Sequence, residues 1–81
     1  MTRIAVTMPR VAPDADTCTI ARWLKQVGDR VERGEPVLEV DTDKATLEVE
    51  ARASGVLVDI LHQPGENVAV GASIGYIEAD E

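Results

Sequence analysis

Few side chains in this 81-residue sequence can do chemistry: two lysines, Lys25 and Lys44, one cysteine, Cys18, and one histidine, His62. A lone cysteine and a lone histidine leave zinc without a ligand set and exclude an internal disulfide. The acidic group Glu39, Asp41, Asp43, Glu48 and Glu50 lacks the third acid, the glycine and the distal glutamate of a calcium loop, so it reads as a solvated face and no metal site is expected. What remains is an amine. Lys44 stands between Asp43 and Ala45 in the run Val40, Asp41, Thr42, Asp43, Lys44, Ala45, Thr46, Leu47, Glu48, Val49. A lysine in such a run is either an ordinary solvated turn residue or an exposed nucleophile open to modification.

The elements that would hold such a turn come from an internal repeat. Residues 23–41 lie over residues 60–78 at a constant offset of 37, matching Gly28 to Gly65, Asp29 to Glu66, Val31 to Val68, Gly34 to Gly71, Val37 to Ile74 and Val40 to Ile77. A gapless recurrence of glycine, acid, valine, glycine and branched apolar residues marks a duplication. Gly28, Gly34, Gly65 and Gly71, with Gly55, are expected at turns, where glycine supplies a positive φ. Strands are predicted over 3–7, 17–24, 36–41, 45–50, 55–61 and 73–78, with short extended pieces at Val31 and Val68. Strict alternation in Thr46 to Glu50 predicts that Leu47 and Val49 face inward. Ile20 and Trp23, like Leu57 and Ile60, are spaced by three, which predicts a bulge or a strong twist in both copies. Strands 36–41 and 45–50 leave room only for a tight hairpin turn within Thr42, Asp43 and Lys44, which puts Lys44 at its tip.

Sixteen of the apolar residues are Val or Ile and five are Leu; Phe is absent, and the only aromatics are Trp23 and Tyr76. This composition favours strands. No window offers a capped helix, and two narrow sheets must each bury a face, so the expected fold is all-β: a flattened β-barrel or sandwich of two small antiparallel sheets with a pseudo-two-fold internal repeat, formed by residues 1–81 as one domain. A net charge of −7 with no basic stripe argues against nucleic acid. No apolar stretch approaches the ~20 residues of a membrane-spanning helix, so no membrane partner is expected and the chain reads as soluble and intracellular. Trp23 is expected in the core. Cys18, Lys25 and His62 are expected to have no functional role.

The run from Val40 to Val49, followed by Ala53, Ser54, Gly55, Val56 and Leu57, resembles the lipoyl domains of 2-oxo acid dehydrogenase complexes, and the similarity extends from Ile4 to Ile77. The family has Glu where this chain has Asp41, a conservative departure. The resemblance implies lipoic acid in amide linkage to Lys44, with Asp43 and Ala45 marking it for a lipoate ligase or lipoyltransferase. It also implies that the loop containing Val11, Ala12, Pro13 and Asp14 lies beside the lysine and helps a decarboxylase discriminate. Glu48 and Glu50 are further candidates for partner recognition, through charge. The implied partners are a thiamin-diphosphate 2-oxo acid decarboxylase that acylates the arm, an acyltransferase catalytic domain that passes the acyl group to coenzyme A, and dihydrolipoamide dehydrogenase. The domain itself would be a non-catalytic carrier, excised from an acyltransferase, in the bacterial cytoplasm or the mitochondrial matrix. A biotin carrier shares the duplicated fold but usually frames its lysine with methionines. The glycine-cleavage carrier is longer, and a plain adaptor would leave Lys44 unmodified.

Overall fold

The computed structural model describes residues 2–80 and contains eight strands: β1 (Thr2–Thr7), β2 (Thr17–Trp23), β3 (Arg30–Val31), β4 (Pro36–Asp41), β5 (Thr46–Glu50), β6 (Gly55–Ile60), β7 (Asn67–Ala69) and β8 (Ser73–Ala79). They form two antiparallel four-stranded sheets, ordered β1-β8-β6-β3 and β5-β4-β2-β7. The two sheets face each other as a flattened sandwich, each keeping two free edges. No helix among the described residues is long and apolar enough to cross a membrane.

The repeat is visible in the hydrogen bonds. Gly28 donates its N–H to the Leu57 carbonyl at 2.7 Å, and Gly65 donates to the Ile20 carbonyl at 2.8 Å. Leu57 and Ile20 answer by donating to the carbonyls of Asp29 and Glu66, each at 2.9 Å. The Asp29 carboxylate accepts the Gln26 N–H at 2.8 Å, and Glu66 accepts that of Gln63 at 2.7 Å. Each acid after a turn glycine thus caps its own turn, and each turn is laced to the other half of the molecule. Gly28, Gly34, Gly65 and Gly71 have φ values of 100°, 87°, 93° and 89°, as the turns require.

Gly55 is different. It opens β6 and has no positive φ; a Cβ there would run into the Glu78 carbonyl of β8. Its missing side chain lets two strands approach, so the turn expected at this position is replaced by a close strand contact.

The predicted bulges occur in both copies. Pairing slips between Ile20 and Arg22 against β4, and between Leu57 and Asp59 against β8. A second matched pair, at Val37 in β4 and Ile74 in β8, lets consecutive residues turn inward. Val37, Leu38, Val40, Leu57, Ile74 and Ile77 are all fully buried as a result. Each such side chain contributes about 1.5–3 kcal/mol through its removal from water.

Trp23 packs against this core, as expected, and its indole N–H donates to the His62 carbonyl at 2.9 Å. Gly75 makes room for the ring: a Cβ on it would lie 3.1 Å from the Trp23 Cη2. The repeat places Ile60 and Leu38 where the other half has Trp23 and Gly75.

Candidate functional site

The hairpin joining β4 to β5 is closed by one side chain. The Thr42 hydroxyl donates to the Ala45 carbonyl at 3.0 Å and accepts the N–H groups of Lys44 and Ala45 at 3.2 and 3.0 Å. The Thr42 N–H also reaches the Ala45 carbonyl, at 2.8 Å. Beneath this, the Thr46 hydroxyl donates to the Asp41 carboxylate at 2.7 Å. Two-residue hairpins usually rely on glycine or asparagine at positive φ, but among the described residues no non-glycine has one. Here the Thr42 hydroxyl takes the place of a backbone acceptor, so Asp43 and Lys44 form a rigid tip without that strain.

Asp43, Lys44 and Ala45 are all exposed, and among the described residues the Lys44 ammonium has neither an ion-pair nor a hydrogen-bond partner. Lys25 is held differently: its ammonium lies 3.1 Å from the Glu35 carboxylate. Glu35 also accepts the Glu32 N–H at 3.0 Å, and this bond together with Lys25 holds its carboxyl below the usual carboxylate range. His62 is likewise engaged, 2.8 Å from the Glu66 carboxylate. Of the two lysines, only the one at the hairpin tip presents an amine unpaired among the described residues.

The 8–16 loop faces the hairpin across a groove of about 750 Å³, to which the loop contributes Val11, Ala12 and Asp14 and the hairpin contributes Thr42, Lys44 and Leu47. Pro13 belongs to the same loop but lies outside the groove lining. Glu48 and Glu50 are exposed on β5 and do not line it either. Glu48 stands directly opposite Glu39, whose charge is met by Arg22 at 2.9 Å, while Glu48 has no cationic partner among the described residues. Among those residues, no three His, Cys, Asp or Glu side chains converge as a metal site would need.

Leu47 departs from the sequence expectation. It pairs with the buried Val40 and so shares its inward face, yet it is 40% exposed. Leu47 is the second residue of an edge strand and lines the groove. Val49, opposite Leu38, packs against the core as expected. Thr42 is the functional residue that composition and spacing leave unmarked, although a threonine whose hydroxyl bonds the backbone of a tight turn is a recognisable signal.

The biotin/lipoyl family profile, described as "Biotin-requiring enzyme", matches residues 4–77. The chain is 47% identical over 72 residues to the dihydrolipoyllysine-residue succinyltransferase component of the 2-oxoglutarate dehydrogenase complex of Bacillus subtilis, covering 89% of this chain and 17% of that protein. It is 41% identical over 78 residues to the dihydrolipoyllysine-residue acetyltransferase component of the pyruvate dehydrogenase complex of Rickettsia conorii, covering 95% of this chain and 19% of that protein. The chain thus spans under a fifth of the length of either relative. Among solved structures, the lipoyl domain of the 2-oxoglutarate dehydrogenase complex from Azotobacter vinelandii superposes with a TM-score of 0.75 at 32% identity, covering 94% of this chain and 98% of that one. Kluyveromyces lactis urea carboxylase gives 0.80 at 26% identity, over 95% of this chain and 6% of that one. The chain belongs to the biotin- and lipoyl-attachment family, as a lipoyl domain of the type borne by acyltransferase components of 2-oxo acid dehydrogenase complexes.

Proposed function

We propose that this domain is a non-catalytic carrier, with lipoic acid in amide linkage to the Lys44 Nζ. The observation that carries the reading is the unpaired amine at a tip locked by the Thr42 hydroxyl, while Lys25 is held by Glu35. Exposure on both sides of the tip admits a modifying ligase or lipoyltransferase, with Asp43 and Ala45 as its flanking marks. A lipoyl group there supplies a dithiolane able to take up and release an acyl group and a pair of electrons. The chain's own part is to hold the attachment point rigid, exposed and clear of other charges' grip.

The enzymes served are a thiamin-diphosphate 2-oxo acid decarboxylase, an acyltransferase catalytic domain and dihydrolipoamide dehydrogenase. Tethering raises the arm's effective concentration at their active sites to about millimolar. The groove-lining loop residues Val11, Ala12 and Asp14, with Pro13 beside them, lie where a decarboxylase approaching Lys44 meets them. Glu48 and Glu50 present an acidic strand suited to basic partner surfaces.

The family also attaches biotin, and the fold alone does not separate the two, since the urea carboxylase superposes as well as the lipoyl domain. Incubation with ATP and either lipoate plus a lipoate ligase or biotin plus a biotin ligase separates them. A single lipoyl mass increment, mapped to the Lys44 peptide and many times faster than biotinylation, is expected. Preferential biotinylation would overturn the lipoyl assignment.

A further inference from the structure

The two halves of the sandwich provide an internal comparison for the loop facing Lys44. Met8 and Ala51 are equivalent. Met8 donates to Ala72 and accepts from Gly71, and Ala51 donates to Glu35 and accepts from Gly34, all at 2.9 Å. Cys18 and Gly55 are also equivalent, at the repeat offset. Between these fixed points one half needs only residues 52–54, whereas the other uses residues 9–17. The short connection shows that the sandwich closes without the extra length.

The long connection is nevertheless braced. The Arg10 Nη1 donates to the carbonyls of Pro13 and Ala15 at 3.3 and 3.1 Å and lies 3.8 Å from the Asp16 carboxylate. The Ala15 N–H donates to the Ala12 carbonyl at 3.1 Å, tightening the same turn. Arg10 is about half exposed and is absent from the core cluster. Arg52, in the short connection, has no side-chain hydrogen bond or ion pair among the described residues. The brace therefore serves the shape of a loop whose Val11 packs against the core and which forms the wall of the groove opposite Lys44.

We propose that Arg10 is a positioning residue for acyl loading: it holds Val11, Ala12 and Asp14 in the arrangement that a 2-oxo acid decarboxylase docks against when it acylates the arm on Lys44. This rests on the lipoyl-carrier reading. Arg10 acts through the loop and needs no contact with the arm. Removing it frees the loop and raises the cost of ordering it on docking, which weakens encounter without altering the chemistry once docked.

The test compares the wild-type and Arg10→Ala domains. Both are loaded by lipoate ligase and presented to the thiamin-diphosphate decarboxylase components of the 2-oxoglutarate and pyruvate dehydrogenase complexes with their oxo acids. In Arg10→Ala, KM for the domain should rise about fivefold at unchanged kcat, as the loss of the brace bonds would give. Loading by the ligase should stay at the wild-type rate, and the melting temperature should fall by no more than about 5 °C. In the unmodified variant, ¹⁵N relaxation should show new fast motion at Ala12, Asp14 and Ala15 and none at Lys44. The rise in KM should persist in 0.5 M salt, roughly, where an exposed charge contact is screened out. If neither decarboxylase acylates the loaded wild-type domain, the carrier reading falls and this proposal with it. If the wild type is acylated but Arg10→Ala keeps its KM, or the rise vanishes in salt, or the loop stays rigid, the positioning role alone is overturned.

Discussion

A Lys44→Arg domain should fold as the wild type does and take up no lipoyl group at all. The turn does not depend on the lysine side chain, because the bonds that close it run from the Thr42 hydroxyl to the backbone of Lys44 and Ala45. Arginine keeps the charge and exposure but lacks a nucleophilic amine at neutral pH. The melting temperature should therefore move by no more than about 2 °C, as for a surface substitution away from any packing feature. Lys25 does not take over, since it is paired with Glu35 at 3.1 Å and carries none of the flanking residues of the tip. Intact mass after incubation with lipoate, ATP and ligase checks this. A lipoyl increment on the variant would show that the attachment point lies elsewhere.

Gly55→Ala has the largest expected effect on stability. A Cβ at this position would collide with the Glu78 carbonyl and lie 2.8 Å from its carbon and 2.9 Å from the Ala79 Cα. All three atoms are backbone of β8, so no side chain can swing aside. Relief requires β6 and β8 to separate where Gly55 pairs with Ala79 and Val56 with Glu78. The cost should be about 3 kcal/mol or more, the upper range for overpacking a close-fitted site. In a domain of this size that lowers the melting temperature by on the order of 15 °C. Gly28→Ala is the contrasting case. Open space surrounds its Cβ position, but its φ of 100° is unfavourable to alanine. That change should cost only about 1 kcal/mol. Thermal melts of both variants decide the point: equal destabilisation would contradict the distinction between a close strand contact and a turn.

Much of this fold is legible in the sequence because its signals are local. The Gly-Asp/Glu-x-Val pattern encodes a backbone conformation and a cap together, since the glycine takes the positive φ and the acid accepts the N–H two residues before that glycine. The three-residue spacings of Ile20 with Trp23 and Leu57 with Ile60 betray the bulges because each bulge shifts the inward side by one position. The hairpin tip follows from the short gap between two strands. Less legible are features that depend on how strands assemble. The exposure of Leu47 follows from β5 lying at a sheet edge, and strand order is not a property of any window of residues. Gly55 looks like a turn glycine until β8 is seen beside it. The choice of sandwich over barrel likewise depends on pairing between distant segments. At the site, Lys44 and its neighbours stand out by pattern, whereas the Thr42 bonds and the Arg10 brace depend on side-chain geometry.

The most direct test of the account is acylation of the loaded domain, followed by intact mass and peptide mapping. Domain carrying a lipoyl group on Lys44 would be incubated with the thiamin-diphosphate decarboxylase component of the 2-oxoglutarate or pyruvate dehydrogenase complex and the matching oxo acid, beside free lipoamide at equal concentration. The account predicts a further single acyl increment on the Lys44 peptide, formed far faster than acylation of free lipoamide, with at least one of the two enzymes. Acylation no faster than that of free lipoamide with both enzymes would contradict it, because the domain would then contribute nothing to presentation of the arm.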